Sequence, residues 1–262
     1  MAGRKSRRRK KILIFCICAV LLCIVGYFLY SYGVDYYRQY YACPGVKIDY
    51  YRYPVRGIDV ASHQGNINWK QVYDSGICFA FIKATEGESF VDKNFKRNWQ
   101  RAKACNVIVG AYHFFRFNKD GKQQALNFIA NVELSDEDLP PVLDVELYGG
   151  NKYNMETKNK VISEIFNCLR AFEKHYSKKP VIYTNVETYE SFIKGNFDDY
   201  DLWLCKLCNE PKTVKWTFWQ YTHQAVVPGI ESEVDMNIFN GSYTDFVNYL
   251  YGKNAEEENI DS

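Results

Sequence analysis

The chain has 262 residues, 47% of them hydrophobic, and a formal net charge of +2. That length suits one large domain and an appendage, since a closed α/β barrel commonly uses about 200–250 residues. Seven of the eight residues from Arg4 to Lys11 are Lys or Arg; without them 26 basic residues face 31 acidic ones, which argues against a nucleic-acid partner.

In chain order, residues 1–11 are the basic segment, and residues 12–30 then carry no charge at all. Nineteen such residues are enough to cross a hydrocarbon core of about 30 Å as a helix. We place a transmembrane signal-anchor at 12–32, with the basic flank held in the cytoplasm and the remainder exported to the periplasm or cell surface. A cleaved signal peptide is the alternative, but its apolar core is usually about 7–15 residues and ends at a small-residue site. Here no A-x-A pattern follows. Residues 33–56 are Tyr-rich and irregular, with Pro44, Gly45 and Pro54, and read as a membrane-proximal stalk with room to rest on the domain.

From 57 to 251, short apolar runs alternate with segments of helical period. The runs predict strands at 57–61, 79–83, 107–115, 141–146, 181–184, 202–205, 217–221 and 234–238. Helices are predicted at 94–105, 122–132, 158–176 and 243–250. Near-continuous apolar strands imply burial on both faces, as in a parallel sheet, and their alternation with helices indicates βα units. Eight strands favour an irregular (β/α) barrel of the TIM-barrel type, with some helices missing because the later intervals are short. Residues 252–262 are polar and acidic and read as a flexible tail.

Cys43, Cys78, Cys105, Cys168, Cys205 and Cys208 lie beyond the anchor, an even number that permits disulfides in an exported domain. Cys205 and Cys208 have C-x-x-C spacing, but no second such pair exists, so a local disulfide or two structural thiols is preferred to metal or redox chemistry.

In a parallel barrel, reactive groups belong at the carboxyl ends of strands. Pro140-Pro-Val-Leu-Asp-Val-Glu146 is an apolar run ending in two carboxylates one residue apart. Strand period 2 puts Asp144 and Glu146 on one face, roughly 6–7 Å apart along the backbone. Two acids in one cleft raise the pKa of at least one, which keeps a proton available for general acid catalysis. Ordinary surface acids at a strand end are the competing explanation. Asp59, in Gly57-Ile-Asp-Val-Ala-Ser-His-Gln-Gly65, and Asp235, in Val234-Asp-Met-Asn237, are further acids that converge on the same mouth if all strands run one way. Such a mouth suits a transition state that develops positive charge. Tyr112, Tyr183, Trp219, Gln220 and Tyr221 are candidate sugar contacts, since pyranose C–H faces stack on aromatic rings. Core packing is the usual fate of any one such aromatic. His113 reads as a structural histidine, and Lys83 as a possible partner of Asp59.

Together with Phe79-Ala-Phe-Ile-Lys-Ala-Thr-Glu-Gly87, Gly110-Ala-Tyr-His-Phe114, Ile182-Tyr-Thr184 and Phe218-Trp-Gln-Tyr221, these motifs resemble family 25 glycoside hydrolases, the Chalaropsis-type lysozymes, over residues 57–251. The resemblance implies a metal-free, cofactor-free N-acetylmuramidase acting on peptidoglycan glycan strands. It cuts the β-1,4 bond between N-acetylmuramic acid and N-acetylglucosamine. By the same resemblance Glu146 is the general acid/base, Asp144 orients the substrate's 2-acetamido group for attack with retention, and Asp59 shapes the catalytic site. Asp235 is implied to shape the negative subsite with Asp59 and to tune Glu146, and Asp235, Tyr112, Tyr183, Trp219, Gln220, Tyr221 and Lys83 are the expected substrate-binding residues. Leu207 stands where the family's pattern usually has an aromatic. A non-catalytic wall-binding domain and a chitinase-like hydrolase of N-acetylglucosamine polymers are the competing readings. The first is disfavoured by the full set of acids, the second by the lack of a longer D-x-x-D-x-D-x-E signature. A monomer is expected.

Overall fold

The computed structural model describes residues 2–40 and 46–251, with side chains of the first helix described from 14 to 34. The basic block's side chains, Cys43 and the tail at 252–262 lie outside the described residues. The chain divides into two units, Met1–Pro44 and Gly45–Ser262. The described residues of the first form one helix, α1 (Ala2–Tyr40). Within it, Ile14–Val34 is 21 residues long, entirely unburied, and apolar enough to cross a membrane. At 1.5 Å per residue that stretch spans about 31 Å, the thickness of a bilayer's hydrocarbon core.

The second unit is a mixed α/β fold around a closed eight-stranded barrel. Its strands are β1 (Arg56–Val60), β2 (Phe79–Glu86), β3 (Phe90–Val91), β4 (Ile108–Phe114), β5 (Val142–Asp144), β6 (Val181–Asn185), β7 (Asp201–Cys205), β8 (Phe218–Ala225) and β9 (Val234–Phe239). The order is β1-β9-β8-β7-β6-β5-β4-β2, closed by the β1–β2 pair, and β3 is a short antiparallel addition to β2. Helices α2 (Trp69–Asp74), α3 (Phe95–Ala104), α4 (Gly121–Ile129) and α5 (Lys158–Tyr176) fill the early crossovers. After β6 the crossover shrinks to α6 (Val186–Thr188) and a π-turn (Tyr189–Ile193), and α7 (Tyr243–Tyr251) ends the described chain.

One expectation needs correction: the strands do not all run the same way. β9 is antiparallel to both β8 and β1. The loop between β8 and β9 spans 226–233, too short for the crossover of a dozen or more residues that a parallel return requires. The chain therefore turns back as a hairpin. The boundary of the globular unit also lies earlier than 57. Tyr53 and Val55 are buried, and the Tyr53 hydroxyl donates to Glu210 Oε1 at 2.6 Å, so these residues rest on the barrel.

Alternation along the strands sorts the core into two layers. Ala80 and Ile82 of β2 face outward, among Leu169, Phe172 and other residues under the helices. Phe79 and Phe81 face inward, with Val142, Val181, Trp203 and Phe218. Phe81 stacks on Trp203 at 4.3 Å and meets Phe218 edge-on at 5.1 Å. Glycines on neighbouring strands make room for these rings: Gly57 is paired with Phe79, and Gly110 with Phe81. A Cβ at either would sit 2.3 or 2.6 Å from the ring. Phe246 and Leu250 of α7 join this inner cluster, with Phe246 5.6 Å from Phe79. The N-terminal end of the lumen is thus plugged with hydrocarbon, and polar chemistry is confined to the other end.

Candidate active site

Asp59 sits near the C-terminal end of β1, and its register partner is Asp235 at the start of β9. The reversal of β9 is what brings this residue to the mouth, because the first residues of a reversed strand lie where its neighbours end. Asp144 ends β5, paired with Phe114 on one side and Tyr183 on the other. The Val145 amide still donates to the Tyr183 carbonyl at 2.9 Å, and Val145 is buried in the outer layer. The extended alternation therefore continues past the strand and returns Glu146 to the mouth.

Asp59 is held by a relay of amides. Its Oδ2 accepts from Gln220 Nε2 at 2.8 Å and from Asn237 Nδ2 at 2.9 Å. The Tyr183 hydroxyl donates to Gln220 Oε1 at 2.8 Å, and Trp203 Nε1 donates to Asn237 Oδ1 at 2.7 Å. An indole N–H can only donate, so it fixes the Asn237 amide with its NH2 toward Asp59. Burial pushes the Asp59 carboxyl well above the ordinary range and the neighbouring Asp235 charge adds to this, while the two amide donors oppose it.

Asp144 is buried, and its Oδ1 has no hydrogen-bond partner among the described residues. Burial and then the charge of Glu146 drive its pKa upward, with Lys83 pulling the other way. Glu146 is pushed up to about 7, first by burial; the nearby His223 charge lowers it, Asp235 raises it, and Lys83 and a hydrogen bond from Asn185 lower it. A carboxyl titrating there is still substantially protonated at neutral pH and can both give and take a proton.

The remaining candidates divide into two groups. Tyr112 is half-buried, and its hydroxyl is driven upward by burial and by the charges of Asp59, Asp144 and Asp235, so it belongs to the mouth. Lys83 lies at the rim, paired with Glu86 at 2.7 Å and positioned over the Phe114 ring at 5.0 Å. It does not pair with Asp59. Trp219 and Tyr221 turn away. Gln220 points inward, so its neighbours point out. Trp219 is buried against Trp216, its indole N–H donating to the Lys206 carbonyl at 2.8 Å. The Tyr221 hydroxyl meets that of Tyr50 at 3.1 Å. The expected stacking of sugar on these two rings is replaced by packing on the barrel's outer layer.

His113 is a fully buried structural residue, bonded to Thr85 at 2.7 Å, with burial holding its pKa down at about 4. Cys205 is a free thiol, as are Cys78, Cys105 and Cys168, while Cys208 is disulfide-bonded, so the C-x-x-C pair is not a local disulfide. Among the described residues no three His, Cys, Asp or Glu side chains are grouped to hold a metal ion. Three contributors escaped sequence reasoning. Asn185 ends β6, Asn237 supports Asp59, and His223 Nδ1 lies 2.8 Å from Asp235 Oδ1. His223 was hidden by the irregular β8–β9 register between Gln220 and Thr222, which breaks simple alternation.

Comparison with known proteins agrees with this geometry. The profile described as "Glycosyl hydrolases family 25" matches residues 58–230. A family 25 glycosyl hydrolase structure from Bacillus anthracis superposes with a TM-score of 0.74 at 41% identity, covering 78% of this chain and 96% of that one. YegX of Escherichia coli O6:H1 is 34% identical over 96% of this chain and 98% of its own length. Lysozyme M1 of Streptomyces globisporus is 35% identical over 72% of this chain and 68% of its own.

Proposed function

As the chain belongs to glycoside hydrolase family 25, we propose that it is a muramidase that hydrolyses the β-1,4 bond between N-acetylmuramic acid and N-acetylglucosamine in peptidoglycan. The observation that carries this reading is the convergence of Asp59, Asp144, Glu146 and Asp235 on one barrel mouth, with Glu146 held at about 7. A relative is named lysozyme, which supports the substrate class.

In this reading the Glu146 carboxyl donates its proton to the glycosidic oxygen as the C1–O bond breaks. The substrate's own acetamido oxygen attacks C1 from the opposite face and forms a cyclic intermediate. The Oδ1 of Asp144, unpartnered among the described residues, accepts the acetamido N–H and so orients the attacking oxygen. Glu146, now a carboxylate, takes a proton from the water that opens the intermediate, giving net retention. No protein nucleophile is required. Asp235 supplies negative potential where positive charge develops, Asp59 shapes the same subsite, and Tyr112 and Tyr183 line the approach.

The apolar helix and its preceding basic block support retention at the membrane with the barrel outside the cytoplasm. Recovery of a soluble mature protein whose N-terminus lies beyond Tyr30 contradicts that topology. The reaction itself is tested by digesting purified peptidoglycan and identifying the new reducing ends by mass spectrometry after borohydride reduction. Reduced muramic acid ends are expected. Reduced glucosamine ends contradict the bond assignment, and binding without cleavage points to a wall-binding domain.

A further inference from the structure

Of the strands around the mouth, β6, β8 and β9 each contribute two groups to the reaction or its support. Gln220 serves Asp59. His223 lies beyond the register irregularity and faces Asp235, across the β8–β9 hairpin, with Nδ1 2.8 Å from Oδ1. Their side chains are 33% and 27% exposed, so the pair lies partly out of water and its charge is incompletely screened. The other ring nitrogen, Nε2, is 3.9 Å from the Cys205 thiol of β7. Asp235 in turn stands opposite Asp59. The ring is thereby clamped between two strands, and no zinc-type spacing explains it.

We propose that His223 is a positioning residue for the cleavage: it fixes the Asp235 carboxylate and places an imidazolium in the field of the Glu146 acid. This rests on the assignment of Glu146 as the general acid. The groups around His223 are Asp235 from β9, Asp59 from β1, Glu146 beyond β5 and the Cys205 thiol from β7. Burial works against the charged ring, but the bond to Asp235 and the charges of Asp235, Asp59 and Glu146 outweigh it and raise the His223 pKa. The Cys205 thiol is pushed far up by burial and stays neutral. A positive ring helps the Glu146 proton leave at the moment the glycosidic oxygen needs it. It also offsets the opposing influence of Asp235 on Glu146.

Coupling between two sites is reciprocal, so the influence is measurable from the histidine side without any turnover. The test is an NMR titration of the histidine rings in the full-length protein in detergent, with His223 assigned by the resonance missing from His223→Gln. The His223 midpoint is expected above 6.5. It should fall in Asp235→Asn, and by up to about one pH unit in Glu146→Gln, since the Glu146 carboxyl is only part-ionised over this range. An unchanged midpoint in Glu146→Gln overturns the proposal. The second arm is the pH profile of kcat/KM on peptidoglycan. His223→Gln keeps an N–H for Asp235 but loses the charge, and its basic limb should move to higher pH, with kcat at the optimum falling less than about tenfold. A profile that superimposes on the unsubstituted protein's contradicts the role. If the unsubstituted protein itself cleaves nothing, the muramidase reading fails while the titration still decides the fate of His223.

Discussion

The two ends of the barrel lumen are built from the same strands and the same inward-facing alternation, yet they do opposite things. At the N-terminal end Phe79, Phe81, Trp203 and Phe218 meet ring to ring, and α7 closes the floor. At the other end, inward positions of β1, β5 and β8 carry Asp59, Asp144 and Gln220. Burying an apolar ring stabilises the fold, whereas burying a carboxyl costs free energy unless it is protonated or well bonded. The floor therefore supplies rigidity, and the mouth spends part of that stability on acids kept out of their ordinary titration range. Fold and reaction are separable by residue, and substitutions can test that separation.

The largest expected effect is at the mouth. Glu146→Gln removes the transferable proton and should lower kcat by about 10²–10⁴, the usual worth of a positioned general acid; near-normal turnover would remove the assignment. The same substitution should stabilise the fold at high pH. The Glu146 pKa is raised from 4.5 to about 7, so its neutral form suits the folded state at low pH, and that stability is lost as pH climbs from 4.5 through 7. The Gln variant should therefore match the unsubstituted protein near pH 4 and exceed it by up to about 3 kcal/mol at pH 8, read from thermal or denaturant unfolding. At the floor, Gly110→Ala drives a methyl into the Phe81 ring and Leu139. We expect it to cost about 1–3 kcal/mol of stability while leaving the pH profile of the folded enzyme in place. The smallest effect is expected at Trp219→Phe, which gives up the bond to Lys206 on the outer layer. It should destabilise by about 1 kcal/mol and leave KM within about twofold. A large rise in KM would return Trp219 to the cleft.

Much of the fold was legible because buried strands leave apolar runs and outer helices leave a 3.6-residue period. The predicted helices at 94–105, 122–132 and 158–176 correspond to α3, α4 and α5. The acids stood out because carboxylates inside apolar strands have few structural reasons to be there. What could not be read depended on tertiary geometry. The direction of β9 is set by a short loop and a neighbouring register. The inward turn of His223 follows a register irregularity, and the supporting roles of Gln220 and Asn237 need donors that lie far away in sequence. Trp219 was misread for the same reason: a tryptophan in a strand gives no sign of which face it takes. The particular contacts of residues 46–55 were equally opaque, since a Tyr-rich irregular segment packs through individual contacts and not through a periodic pattern.

The most direct measurement is a carbon-13 NMR titration of the Glu146 side-chain carboxyl in the full-length protein, assigned by comparison with Glu146→Gln. A midpoint of about 7 is predicted, with Glu146 protonated when the reaction needs an acid. A midpoint near the ordinary value of 4.5 would mean that Glu146 is ionised at neutral pH, and would contradict its role as the proton donor.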